Sequence, residues 1–409
     1  MQFYIDQVKE GLLIAFAAIR ANKMRSVLTT LGIVIGIVSV TLMGTAIEGL
    51  NRAFNKSIAV IGADVLYVQK WPWGGGGNWW EIRNRKDLLI QHARAIERNA
   101  QNVRSVSPIT GTGRNVKYGG KVVENVVILG TDADFIETTN ANVALGRFLT
   151  PMEADGGRPI CVLGSEVAEA LFPVETPIGK TVKVGNYPYR VVGVLEKQGS
   201  FLGIASFDNR VYLPITRFFK EFRSRRGGIE IWVKAASATN VDETKEEVRG
   251  ILRNVRKVAP GKEDDFAINQ QEFFIQTFNQ IGGVIAAVGL FITGLALFVG
   301  GIGIMNIMFV SVTERTKEIG IRKAIGAPKR SILMQFLFES AAICLIGGVI
   351  GIMIAFPLSL IIDQILPTAM PLSIVGIALL ISVFVGVVSG FLPAYRASRM
   401  DPVDALRYE

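Results

Sequence analysis

Four stretches without a single charged residue govern what this chain can fold into: residues 26–47, 273–313, 340–362 and 364–395. A helix needs roughly 20 apolar residues to cross the hydrocarbon core of a bilayer, and each stretch is long enough. Nothing comparable lies between Asn51 and Glu272. The chain therefore reads as one span, a domain of about 220 residues of ordinary size, then three more spans. A mean hydropathy of +0.37, with 50% hydrophobic and 19% charged residues, fits a mixed membrane protein better than a soluble one.

The short flanking segments orient the spans, because cytoplasmic loops carry an excess of Lys and Arg. Lys9, Arg20, Lys23 and Arg25 precede the first span, and Arg396, Arg399 and Arg407 follow the last. Residues 363–371, between the third and fourth spans, have no cation. Between the second and third spans lies SVTERTKEIGIRKAIGAPKR, residues 311–330, with Arg315, Lys317, Arg322, Lys323, Lys329 and Arg330 against Glu314 and Glu318. Both termini and this island are expected in the cytosol, and the large domain outside. Within the island, Ser311 and Glu314 read as a capping box, Glu318 and Arg322 as an i,i+4 ion pair, and Gly326-Ala327-Pro328 as a stop before a restart.

Residues 1–25 place Ile5, Val8, Leu12, Phe16 and Ile19 on one helical face, the pattern of an amphipathic helix lying at the membrane interface. The competing reading is a cleaved signal peptide, but the following apolar run exceeds the usual h-region and cleavage would remove the first span. Glycine pairs spaced by three residues recur in the spans: Gly32/Gly36, Gly347/Gly351 and Gly386/Gly390. Such pairs let helix backbones approach closely. Ionisable residues are essentially absent inside the spans, with Glu339 and Asp363 read at their ends, so neither a proton relay nor an ion-coupled carrier is supported. The second stretch, as one helix, would extend roughly 60 Å, about twice the hydrocarbon core, and must project beyond the membrane.

The outer domain opens with a strand-like run at residues 62–68, a helix-like stretch at 85–99 and a strand at 103–108. A related order returns late, with strand-like 228–233, a charged amphipathic helix at 241–258 and a strand at 265–268. The two units bracket a β-rich insert at about 130–218, with strands at 159–163, 181–184, 189–194 and 211–214, which makes the whole domain α+β.

Several candidate sites are weak or absent. Cys161 and Cys344 fall in different parts of the chain, so a disulfide between them is geometrically disfavoured. The single histidine, His92, reads as a surface residue, and no set of metal ligands or nucleophile and base is visible. Gly179-Lys180-Thr181 resembles the end of a phosphate-binding loop, but Val174 stands where that loop needs glycine and the sequence that follows is strand-like. No GxxxxGK[ST] pattern occurs in the sequence, so ATP chemistry would have to come from elsewhere. Trp71, Trp73, Trp79 and Trp80 surround a glycine run; this segment reads equally as a flexible loop or as a docking tip for a partner, an apolar substrate or the outer leaflet.

Three separate phrases carry a family resemblance: residues 21–40, ANKMRSVLTTLGIVIGIVSV; residues 305–340, MNIMFVSVTERTKEIGIRKAIGAPKRSILMQFLFES; and residues 392–409, LPAYRASRMDPVDALRYE. They resemble the MacB/FtsX-type family of ABC-transporter permeases, and phrases such as ICVLGSEVAEALFP and DNRVYLPITRF are similar to that family's periplasmic core domain. The resemblance implies four transmembrane helices, N-in and C-in, with an outer domain made of a Porter-like subdomain and an inserted Sabre-like one. The corresponding boundaries are 1–25 for the interfacial helix, 26–48 for span one and 49–272 for the outer domain. They continue with 273–313 for the long helix carrying span two, 314–330 for a cytoplasmic coupling segment, 331–362 and 371–395 for spans three and four, and 396–409 for a cytoplasmic tail.

It further implies that Glu314, Arg315, Lys317, Glu318, Ile319, Gly320, Arg322, Lys323 and Gly326 meet a separate ABC-type ATPase, which binds the ATP and Mg, while this chain holds no cofactor. Two such permeases, identical or similar, would pair in the inner membrane among its lipids, with a periplasmic membrane-fusion adaptor as a further partner and no nucleic acid. The implied work is mechanotransmission, in which ATP-driven motion moves the outer domains to expel or extract a macrolide, peptide or lipid-like substrate. An FtsX-like regulator of cell-wall hydrolases and a Lol-type lipoprotein-release permease are the alternatives within the resemblance.

Overall fold

The computed structural model describes residues 23–75, 78–201, 205–222, 228–363 and 370–406. The interfacial helix expected over residues 1–25 lies outside the described residues except for its last three, which belong to the first long helix. The principal helices are α1 (Lys23–Ile61), α2 (Ile90–Asn99), α3 (Val241–Val255), α4 (Gln271–Glu314), α5 (Thr316–Ala324), α6 (Lys329–Asp363), α7 (Leu372–Arg399) and α8 (Pro402–Leu406). The strands are β1 (Val65–Gln69), β2 (Val103–Tyr118), β3 (Lys121–Thr131), β4 (Val143–Gly146), β5 (Ile160–Leu163) and β6 (Thr181–Val184), then β7 (Tyr187–Leu195), β8 (Ser200–Phe201), β9 (Ala205–Ser206), β10 (Arg210–Pro214), β11 (Glu230–Ala235) and β12 (Ala267–Gln270). The chain divides into two compact units, one made of the described residues up to Ala53 and from Gln280 onward, the other of Phe54–Asn279.

In the helical unit, four helices are long and apolar enough to cross a membrane: α1 over Thr30–Asn55, α4, α6 and α7. α4 is continuous for 44 residues, about 66 Å at 1.5 Å per residue. Lipid offers no hydrophobic drive for helices to associate, so packing must come from close approach. The glycine pairs supply it within this unit. A Cβ added at Gly32 of α1 would stand 2.9 Å from the Gly300 Cα of α4, and one at Gly36 would meet the Leu297 side chain. Gly347 and Gly351 of α6 face Ile33 and Ile37 of α1, both fully buried. Gly386 and Gly390 of α7 lie against Ala341 and Ser340 of α6. Ile304, Met308, Phe336, Ile343 and Ala394 fill the remaining core. Glu339 lies inside α6 and is 2% exposed.

The other unit is built on one ten-stranded sheet in the order β12-β1-β11-β2-β3-β10-β5-β7-β4, with β6 bonded to β2 and β7. Its pairs are antiparallel except β3 with β10 and β5 with β7. The strand expected over 103–108 is 16 residues long and joins two lobes: Val103–Ile109 pairs with β11, and Thr110–Tyr118 with β3. The β-rich lobe therefore begins before residue 130, since the second half of β2 and all of β3 already belong to its sheet.

Side chains alternate across a strand. On one face, Leu66 and Val68 of β1 and Ile231 and Val233 of β11 pack against Ile96 of α2 and Val248 and Leu252 of α3. In the other lobe Ile128, Leu163, Val191, Val211 and Leu213 form a comparable core, which also buries Cys161. Cys161 and Cys344 are both free.

The helix expected over 85–99 starts only at Ile90, and the preceding residues are extended. His92 accounts for the difference. Its Nδ1 accepts the Leu89 N–H at 3.1 Å and caps the helix start, and the side chain is buried, not on the surface. Burial, reinforced by the Arg256 guanidinium, holds its pKa below the usual histidine range.

The glycine contacts set a first expectation. Gly32→Val should destabilise the helical unit by about 1–3 kcal/mol through backbone overlap with Gly300, whereas Gly294→Val on α4, where an added Cβ meets nothing within 4 Å, should cost far less. Detergent-solubilised unfolding curves of the two variants test this. Equal losses would mean that the Gly32 approach is not what holds the helices together.

Candidate functional site

The charged island between α4 and α6 folds as α5, one helix of nine residues. It does not begin at Ser311. α4 runs through to Glu314, so the expected capping box is absent; Ser311 is buried inside α4, and Arg315 takes the N-cap position without a side-chain cap. At the same corner the Arg315 side chain has a partner on another helix. Its Nη1 lies 3.3 and 3.4 Å from the two carboxylate oxygens of Glu339 on α6, which ties the corner between α4 and α5 to the next helix. Gly326 ends the segment with φ +100°, a conformation that favours glycine; its N–H donates to Lys323 O and that of Ala327 to Arg322 O.

The nine residues expected to meet an ATPase divide by which way they face. Lys317, Glu318 and Arg322 are exposed on α5, Glu314 and Gly326 are exposed just beyond its ends, and Arg315 is half-buried in the Glu339 pair. Arg322 bonds Glu318 at 2.5 Å, the i,i+4 pair, and Gln335 of α6 at 2.7 Å. Ile319 and Gly320 face inward, and Lys323 is half-buried. Ile319 belongs to the helical core, and a Cβ on Gly320 would stand 2.7 Å from the Ala405 Cβ of α8. Lys323 donates to the carbonyl of Met400; burial, then the charge of Lys329, holds its ammonium below the usual lysine range. α8 thus lies along α5, and the expected tail at 396–409 begins as the last turn of α7 and continues into this packed helix.

Two residues of the segment were missed. Ile321 is 47% and Ile325 82% exposed, beside Glu318, Arg322 and Ala324. Apolar side chains left bare between charges mark a contact surface better than the charges alone. The available signal was their helical offset from the buried Ile319.

The four tryptophans of the other unit do not share one face. Asn269 clamps the chain here: its Nδ2 donates to Trp71 O at 3.1 Å, and its Oδ1 accepts the Trp73 N–H at 3.0 Å. The Trp73 ring turns in, 5.0 Å from Tyr67 and 4.5 Å from Phe274. Trp79 and Trp80 turn out, 52% and 64% exposed, as an edge-to-face pair with Arg83 over both rings. Gly76 and Gly77 lie outside the described residues. Lys180, in the triplet resembling a phosphate loop, pairs with Glu175 at 2.8 Å, and Thr181 starts β6 where a phosphate loop would start a helix. Among the described residues no group of three or more His, Cys, Asp or Glu is placed to hold a metal ion.

A family model for the MacB-like periplasmic core domain matches residues 26–251, and one for the FtsX-like permease C-terminal region matches residues 290–402. Over 98% of its length the chain is 32% identical to the macrolide export ATP-binding/permease protein MacB of Rhodopirellula baltica and 35% identical to that of Agrobacterium fabrum. It spans 62% and 61% of the lengths of those relatives. The crystal structure of the periplasmic region of MacB from Actinobacillus actinomycetemcomitans aligns with 54% of this chain and 95% of that one, at 22% identity and a TM-score of 0.44.

The Arg315–Glu339 pair yields the second expectation. Arg315→Met leaves a carboxylate in a buried position and should destabilise by about 3 kcal/mol or more, while the double variant Arg315→Met/Glu339→Gln should recover most of that loss. A double-mutant cycle on detergent-solubilised unfolding measures the coupling. A cycle that closes at zero would remove the pair from the account of the corner.

Proposed function

This chain belongs to the MacB-like, FtsX-type family of ABC-transporter permeases, and we propose that it is the membrane part of an exporter driven by an ABC ATPase outside these 409 residues. In this reading both termini and α5 face the cytosol, and the Phe54–Asn279 unit lies outside as a Porter-like lobe with a Sabre-like insert. ATP and Mg are bound by the ATPase, and two permeases pair around two ATPases. A membrane-fusion adaptor belongs to the same proposal.

The observation that carries the proposal is the continuity of α4. One hydrogen-bonded rod of 44 residues begins directly after the last sheet strand and ends at Arg315, the corner fixed to α6 by Glu339. A helix transmits axial and tilting motion because every turn is bonded to the next. The proposed work is mechanotransmission: ATPase closure displaces α5, α4 carries the displacement outward, and the outer lobes expel a substrate that does not cross this membrane part. The scarcity of ionisable groups inside the spans supports an energy source beyond them. Macrolide export is printed in the names of the relatives, and a macrolide, peptide or lipid-like molecule suits this reading.

The contact with the ATPase is assigned to Glu314, Lys317, Glu318, Ile321, Arg322 and Ile325, the outward set at and around α5. Ile321→Asp/Ile325→Asp should leave membrane insertion and thermal unfolding at wild-type levels, because both side chains point away from the core. It should weaken co-purification with the cognate ATPase at least about tenfold and remove stimulated ATP hydrolysis in reconstituted membranes. Undiminished association and turnover would refute the assignment.

A further inference from the structure

The face of the large sheet opposite α2 and α3 has a core of its own, with Ile109, Leu129 and Phe135 in it and Trp232 packed against it, and a cavity opens beside that core. Where Leu66, Val68, Ile231 and Val233 point to the helices, the alternating Tyr67, Glu230 and Trp232 point the other way. With Val127 and Leu129 of β3 and Trp73 and Phe274, they line a cavity of about 560 Å³, all of it within the Phe54–Asn279 unit. That volume lies in the range of pockets that take small organic molecules, roughly 300–1,000 Å³.

The lining has a definite chemistry. Tyr67 sits 5.0 Å from Trp73 and 5.0 Å from Trp232, and Trp73 sits 4.5 Å from Phe274, a continuous aromatic wall. Against that wall stands Glu230. Its Oε2 accepts hydrogen bonds from Gln69 Nε2 at 3.1 Å and Trp232 Nε1 at 3.3 Å, both neutral donors, and among the described residues no Lys or Arg pairs with it. A carboxylate in such a place is costly unless a cation meets it. Burial accordingly raises its pKa above the usual carboxylate range, with the Trp232 bond pulling the other way. Arg210 also lines the cavity, but its guanidinium lies over the Phe207 ring at 4.6 Å. It leaves the aromatic wall to another cation and offers N–H groups to acceptor oxygens.

We propose that this cavity binds an amphipathic organic cation, its apolar body against Tyr67, Trp73 and Trp232 and its positive centre between those rings and the Glu230 carboxylate. Aromatic faces attract cations through their quadrupole, most strongly when both are desolvated. The proposal rests on the export reading only for what binding serves. Binding itself needs neither ATP nor a partner.

The test uses the full chain in lipid nanodiscs, with tetraphenylphosphonium as probe and tetraphenylborate, the same shape with opposite charge, as comparison. Equilibrium dialysis against empty nanodiscs separates a saturable site from partition into lipid. One saturable site per chain is expected for the phosphonium and none for the borate. Glu230→Gln keeps the hydrogen-bonding shape and removes the charge, and Val127→Trp fills the cavity from an exposed position; each should weaken phosphonium binding at least about tenfold. Thermal unfolding identifies any variant that fails to fold, and the other then decides. Phosphonium uptake no greater than that of empty discs, equal saturable binding of both ions, or unchanged affinity in a folded variant would overturn the proposal. Failure here leaves the α5 co-purification experiment untouched, so the two readings fall separately.

Discussion

In hydrocarbon a helix gains nothing by hiding its apolar side chains from water, since lipid already does so. The four long helices hold together where their backbones approach closely, and at the Gly32–Gly300 crossing of α1 and α4 backbone meets backbone. The other glycine pairs repeat the device, α6 on α1 at Gly347 and Gly351 and α7 on α6 at Gly386 and Gly390. These contacts lie inside one chain. Outward on α4 stand large apolar side chains, including Leu290, Phe291, Phe298 and Val299, as a lipid-facing surface requires, beside the open Gly294. A motif that in isolation suggests pairing of two chains is here the internal seam on which the unit depends.

A second constraint governs the corner that follows. Leaving the membrane requires α4 to end, and the charged residues that end it must find partners. Arg315 does so by reaching to Glu339, so the buried carboxylate of α6 is met by a guanidinium at the corner where α4 gives way to α5. α8 closes the other side of α5 through Ala405 against Gly320. The short helix is thus held from two directions by its own chain. Its remaining surface mixes Lys317, Glu318 and Arg322 with the bare Ile321 and Ile325.

How much of this the sequence discloses follows the range of the interactions. Uncharged runs, the β6 boundaries and the Glu318–Arg322 pair are local, and the residues carry them openly. What sequence reasoning missed is set by partners far along the chain. His92 looks like a surface residue among charges until Arg256, 164 residues later, is packed beside it. The Ser311–Glu314 pattern fits a capping box, but tertiary packing carries α4 through it. Ile319, Gly320 and Lys323 look equivalent to their neighbours until α8 and the carbonyl of Met400 claim one side of the helix.

The aromatic cavity lies at the far end of that scale. Alternation in β1 and β11 is visible in the residues themselves, apolar on one parity and Tyr67, Glu230 and Trp232 on the other. What alternation alone leaves open is that Tyr67 stands opposite Trp232 across a strand pair, because β1 and β11 are separated by more than 150 residues of chain. Register decides the matter: with Tyr67 paired to Trp232 and Val68 to Ile231, Leu66, Val68, Ile231 and Val233 fall on the helix side and Tyr67, Glu230 and Trp232 on the other. A one-residue slip of β11 would send Glu230 into the packed core and Ile231 into the cavity, which the cost of burying a lone carboxylate forbids. The register that protects the core is therefore the same one that assembles the aromatic wall around Glu230.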